Sequence, residues 1–216
     1  MVPFTNGVLT PQPYRSRDSG YNAWMSPAER TMRLDAKANR ERILAAAETV
    51  FGERGAAGST EEVARMAQVG IATVFRHFPT KADLIEATLL RHFAMLTSRA
   101  RALGDHADPA KALRTLLRLM IETGATKIAL ITLLGDGDAF PTSARTASLE
   151  LRDAVAGVLR RAQSVGAVRR SIAVDEVYLL VRGLAQASAT SRPTPATLRR
   201  AADIVFSGLT MPSRRD

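Results

Sequence analysis

Cysteine is absent. Disulfides and thiolate metal ligands are therefore excluded, and a reducing compartment is the natural setting. Aromatic residues are scarce, at 5%, so most of the bulky side chains that favour β-sheets are missing. Long apolar runs are missing as well, since none approaches the roughly 18 residues of a membrane span. The opening residues lack the basic start and apolar stretch of a secretion signal. The expectation is a cytoplasmic protein with no membrane partner. What is present is a 46% apolar complement over 216 residues, rich in Ala and Leu. That is enough chain for a sizeable core, in residues that favour helices. The formal charge of +9 favours a polyanionic partner. Its placement singles out no segment, because residues 35–81 carry only +1 of it.

Along the chain, Pro3, Pro11, Pro13 and Pro27 fall among Ser and Gly with no helical period. Residues 1–34 therefore read as a flexible arm, with Tyr21 and Trp24 able to tuck against the body. From Asp35 the texture changes. Ile43, Leu44, Ala47, Val50 and Phe51 share one helical face, and Gly55 ends that helix. Ser59 stands three residues before Glu62, the spacing of a capping box. It opens a short helix over 60–67, followed by a turn at Gln68–Gly70 and a second short helix over 71–78. Pro79 breaks it, and Thr80 caps a long helix with Leu84, Ile85, Thr88, Leu89, Phe93 and Leu96 inside. Further helices are expected near 108–123, 126–134, 143–165, 174–190 and 195–210, separated by Gly-, Pro- and Asp-containing breaks. The segment 128–134 is apolar on nearly every side and should be buried. No internal repeat and no strand pattern stands out. The fold class is all-α.

The segment Ser59–Lys81 carries the chemistry. A helix-turn-helix needs a small residue where its two helices cross, a tight turn four residues later, and an apolar residue that closes the core from the second helix. Ala64, Gln68 and Val74 occupy these places, with Val63, Val69 and Phe78 completing a small core. The other side of the second helix then faces a DNA groove. Ile71, Ala72, Thr73 and Arg76 are the candidates for base reading. Arg76 and His77 suit phosphates, as does Lys81 at the start of the next helix. Ser59 caps the first short helix at the rim of this surface, and Arg40 on the preceding helix is a further candidate for the DNA backbone.

The run VGIATVFRHFPTKADLIEATL, with ERILAAAETVFGERG upstream, strongly resembles the TetR family of bacterial regulators. Ala67, Val69, Thr73, His77 and Phe78 match the family pattern, and Ala72, Val74 and Phe75 are near matches. Three positions depart from it. Gln68 replaces the usual turn Gly, where a positive φ would cost about 1–2 kcal/mol. Gly70 replaces a Ser cap, at a cost of a few tenths of a kcal/mol. Phe75 replaces a Tyr whose hydroxyl contacts phosphate in the family, so that hydrogen bond is not carried over and the ring is expected in the core or against a sugar.

The resemblance implies an N-terminal helix-turn-helix domain over 35–82 and a C-terminal effector-binding and dimerisation domain over 83–216. It also implies a homodimer whose last two helices pair with their copies. Val177, Leu180, Val181 and Leu184, then Leu198, Ala201, Val205 and Leu209, recur at three or four residues as such a face requires. A small-molecule pocket among the middle helices would be lined by Met95, Leu116, Met120, Thr123, Ile131, Leu134 and Phe140, and no charged anchor stands out, so the effector is expected to be apolar. The function implied is a sequence-specific regulator, a repressor released from a near-palindromic operator in double-stranded DNA by its effector. The rival reading is a helical small-molecule-binding module or enzyme with a vestigial helix-turn-helix. No nucleophile–base–orienter set is present to support catalysis. Gly135–Asp138 and Asp105-His106-x-Asp108 lack the spacing of metal loops and read as turns, so no cofactor and no metal is expected.

Overall fold

The computed structural model describes residues 26–135 and 140–210. The expected arm up to residue 25, with Tyr21 and Trp24, lies outside the described residues, as do Asp136, Gly137 and Asp138. The chain divides into two compact units, with the boundary after Ala38. Helix α1 (Pro27–Arg54) begins in the first and ends in the second. It starts eight residues before the expected position at Asp35. The reason is a second capping box. The Ser26 backbone N–H donates to Glu29 Oε2 at 2.8 Å, and the Glu29 N–H donates to Ser26 Oγ at 3.3 Å. Pro27 sits at the first helical position, where its missing N–H costs nothing.

Gly55, at φ +53°, ends α1, and a single 3-10 turn follows at Gly55–Ala57. Then come α2 (Thr60–Met66), α3 (Ile71–His77) and α4 (Lys81–Gly104). The body continues with α5 (Pro109–Glu122), α6 (Gly124–Leu134), α7 (Thr142–Ser164), α8 (Val174–Ser191) and α9 (Pro195–Leu209). The described residues form no sheet, and a lone antiparallel bridge joins Val168 to Thr210. The all-α expectation holds. So do the starts of α5 and α9, where Asp108 and Thr194 cap helices that open with Pro109 and Pro195.

One apolar cluster runs through the second unit. In its N-terminal part, Ile43, Leu44, Val50 and Phe51 of α1 meet Val63 and Ala64 of α2, Val74 of α3, and Leu84 and Ile85 of α4. In the body, α4 packs along α7 and α5, α5 along α9, and α6 along α8. No described helix is long and apolar enough to cross a membrane. Helix α6 departs from expectation. Only Gly124 and Leu130 are buried, while Ile128, Ile131, Leu133 and Leu134 are half-buried. Ile128 and Ile131 border a cleft, while Ile131, Leu133 and Leu134 also pack against the edge of the core.

Close approaches hold α6 at both neighbours. A Cβ added at Gly52 of α1 would lie 2.9 Å from the Thr126 side chain, and one added at Gly124 would collide with Ala185 of α8. Only glycine permits these two contacts, and they tie α6 to α1 and to α8.

Candidate nucleic-acid interface

The short helices α2 and α3 are held in place by local chemistry that the sequence spells out. Ser59 Oγ accepts from the Glu62 N–H at 3.2 Å, and Glu62 Oε2 accepts from the Ser59 N–H at 3.2 Å. Arg54, at the end of α1, pairs with Glu62 and joins the two helices. Gln68 makes the turn at φ +56°, so a side chain does occupy the left-handed region where glycine is favoured. Gly70 begins α3 without a side-chain cap. Thr80 and Asp83 form a further capping box that starts α4.

Within α3 only Val74 is buried. Ile71, Ala72, Phe75 and Arg76 are exposed, and Thr73 and His77 are half-buried. Phe75 is 43% exposed, so the expected core role is excluded and its ring stands on the surface. A two-turn helix anchored by Val74 and Phe78 thus displays a mixed apolar and cationic face, as a groove reader requires.

Two of the expected phosphate contacts have partners inside the protein. Lys81 Nζ donates to the Gly58 carbonyl at 2.6 Å and the Ala56 carbonyl at 3.3 Å, and lies 5.5 Å from the centre of the Phe51 ring. It locks the start of α4 to the segment before α2 and does not stand free. The exposed Arg40 lays its guanidinium 5.2 Å from the Phe78 ring centre, and His77 tilts against the same ring at 6.2 Å. Arg65, in the last turn of α2, is an exposed cation that the sequence reading missed, because it looked for base and phosphate contacts on the second short helix and at Arg40 and Lys81. Behind α3, Arg91 bridges Glu41 at 3.2 Å and Glu48 at 2.7 Å. The buried His92 meets Glu48 at 3.1 Å, and this contact, with Arg91, holds the Glu48 carboxyl below its ordinary pKa despite partial burial. The network ties α1 to α4.

The expected pocket residues do not converge. Leu116 is fully buried core and Met95 is exposed. Met120 and Ile131 do line one cleft of about 590 Å³, formed by α5, α6, α7 and α8, while Thr123, Leu134 and Phe140 are half-buried elsewhere. The expected dimer residues divide in the same way. Val177, Val181 and Leu209 are buried within the chain's own core, whereas Leu180 is exposed and Leu184, Leu198, Ala201 and Val205 are half-buried. The large exposed apolar residues of α8 and α9 are Leu179, Leu180 and Ile204, which sequence reading largely missed. Asp105-His106-x-Asp108 is a turn, in which His106 Nδ1 accepts from the Asp108 N–H at 3.0 Å and Asp108 caps α5.

A helix-turn-helix mounted on a body of five further helices defines a class of one-chain DNA-binding regulator. Residues 43–93 match the family described as bacterial regulatory proteins of the tetR family. Residues 108–211 match the C-terminal domain described as transcriptional regulator SbtR-like. The crystal structure of the TetR transcriptional regulator SCO0520 from Streptomyces coelicolor is similar over 81% of this chain and 99% of that one, with 32% identity and a TM-score of 0.68. A TetR regulatory protein from Mycobacterium vanbaalenii is 28% identical, covering 83% of this chain and 99% of its own, with a TM-score of 0.67. Among curated relatives, the HTH-type transcriptional regulator LuxR of Vibrio harveyi is 35% identical over 79 residues, 35% of this chain and 38% of that regulator's length. The chain belongs to the TetR family of transcriptional regulators.

Proposed function

We propose that the protein is a homodimeric repressor that reads a near-palindromic operator with α3 and is released when a small molecule enters the cleft beside α6. The reading places it with the DNA, in the cytoplasm. The observation that carries it is the exposed face of α3, with Ile71, Ala72, Phe75 and Arg76 outward around the single buried anchor Val74. Thr73 and Arg76 are the groove readers, and Arg65 and Arg40 supply backbone contacts beside them.

Support for pairing comes from α8 and α9. Leu180 is 40% exposed and Ile204 is 73% exposed, and Gly183 has open space beside it, as a closely approaching partner helix needs. The proposed face therefore runs along Leu180, Gly183, Leu184 and Ala187, with Leu198, Ala201, Ile204 and Val205 on α9. It replaces the part of the expected face that lies in the chain's own core. Two reading helices about 34–36 Å apart, or a multiple of it, meet successive grooves on one side of the duplex.

Support for release comes from α6, whose residues line the cleft and whose Thr126 packs on Gly52 just before the reading head. A ligand that moves α6 moves α1 with it. To carry the dimer from 1% to 99% released, it must favour the released state about 10⁴-fold. Selection of bound fragments from random duplex DNA at fixed salt tests the reading. A palindrome whose half-sites are separated by a whole number of helical turns is the expected result. Binding without sequence preference would overturn it.

A further inference from the structure

The cleft between α5, α6, α7 and α8 was expected to be apolar, and one wall is. Met120, Ile128 and Ile131 line it, and Val181 closes it from α8. Set into the same lining are Lys127 of α6 and Arg182 of α8. Neither has a carboxylate within ion-pairing distance among the described residues. The one acid in the lining, Asp175, is already paired with Arg152 at 2.6 Å. Lys127 is half-buried and Arg182 is exposed, and the loss of water around Lys127, with Arg182 adding repulsion, lowers its affinity for a proton. Tyr178 also lines the cleft, and its hydroxyl is buried with no hydrogen-bond partner among the described residues. Burial pushes that hydroxyl up to about 12, so it keeps its proton and remains a donor.

Two like charges and an idle donor in one half-enclosed space are an unfavourable arrangement on their own. A partly desolvated cation without a counter-charge is stabilised by an anion that brings hydrogen-bond acceptors. We infer that the cleft takes an amphipathic carboxylate, its head paired with Lys127 and Arg182 and hydrogen-bonded by Tyr178, its apolar body along Met120, Ile128 and Ile131. The volume of about 590 Å³ falls within the range of pockets that enclose small organic ligands. The inference rests on the proposed effector site and specifies its ligand class. It also corrects the expectation of an apolar effector without a charged anchor.

The probes are n-decanoate and its neutral counterpart 1-decanol, titrated calorimetrically into the full-length protein. Decanoate is expected to bind at least about tenfold more tightly, the smallest effect of a charge-assisted contact. Lys127→Met and Arg182→Gln should each reduce the acid toward the alcohol's affinity and leave the alcohol unchanged. A second measurement needs no ligand. Lys127→Met removes the unpaired charge, so the free protein should melt about 2–4 °C higher at equal concentration. Equal affinity for acid and alcohol, or no binding of either, overturns the inference. So does a lower melting temperature or a dissociated dimer in Lys127→Met, because the ammonium would then have a structural partner. Decanoate binding by a protein that selects no DNA would refute the proposed function and leave this inference standing. Operator binding unaffected by bound decanoate would refute only the release step.

Discussion

The reading head and the helical body both leave apolar side chains exposed, but they place their cations differently. In the head, apolar residues at near-contiguous positions close a small core, and the cations Arg65 and Arg76 stay at the surface. In the body, Lys127 is drawn partly out of water, and some apolar residues of α8 and α9 stay outside. Lys127 is half-buried in the cleft, while Leu179, Leu180 and Ile204 are exposed. A surface that reads a polyanion needs its charges ready in water, where orientation costs little and long-range attraction speeds encounter. A site for a small molecule needs its charges where water is scarce, since there one ion pair has more effect. The apolar residues left outside on α8 and α9 are explained if a second copy covers them.

The sharpest way to break this contrast is to open the head's core. Phe51→Ala removes a fully buried ring that also lies beneath Lys81. It is expected to cost about 3–5 kcal/mol in urea unfolding and to abolish DNA binding. A loss under about 1 kcal/mol would mean that the head has no core of its own to speak of.

The body's outer face is tested next by Ile204→Glu with Leu180→Glu. Both residues are exposed in the protomer, so helicity should be retained while sedimentation shows monomers and operator affinity falls by at least about 1.4 kcal/mol, a factor of ten. A variant that still sediments as a dimer would place the interface elsewhere.

The Glu48 network gives a pH test. The Glu48 carboxyl is held low by His92 and Arg91, so its folded pKa lies below its unfolded one. Its contribution is then complete above the unfolded carboxylate range and disappears as pH falls through the folded pKa. Glu48→Gln is expected to cost about 2 kcal/mol at pH 7, with the gap to wild type narrowing below about pH 4. A gap independent of pH would assign the effect to packing.

Arg76→Ala should leave the melting temperature unchanged, weaken operator binding by about 1–2 kcal/mol, and lower the salt slope by about 1. If both values stayed at wild type, Arg76 would not be a contact. The smallest effect is expected from Gln68→Gly. Relief of a positive φ, worth about 1–2 kcal/mol, is partly offset by the greater entropy of unfolded glycine. A net gain below about 1 kcal/mol should appear in thermal melts.

Much of the head was legible in the sequence because its determinants are local. Ser59 with Glu62, Thr80 before α4, Gly55 after α1 and the buried set on α4 are relations between residues one to four places apart. The same rule, applied to Ser26 and Glu29, would have found the true start of α1. The body resisted because its sites join residues far apart in the chain. Spacing showed that Val177, Leu180, Val181 and Leu184 share a stripe on α8, but not which edge of it faces the chain's own core. Lys127 and Arg182 did not stand out as an anchor in the sequence, since 55 positions separate them.

The sequence by itself determined the all-α class, the helix-turn-helix and the anchoring of α3 by Val74 and Phe78. Capping, turn geometry and helical period are set by neighbours in the chain, so local composition is enough to decide them. Only the tertiary structure decided that Lys81 is committed to the carbonyls of Ala56 and Gly58, that Phe75 is exposed, and that two cations share one cleft. Those outcomes depend on which helices approach and how closely, as Gly52 and Gly124 allow α6 to do, and packing of distant segments leaves no periodic trace in the chain.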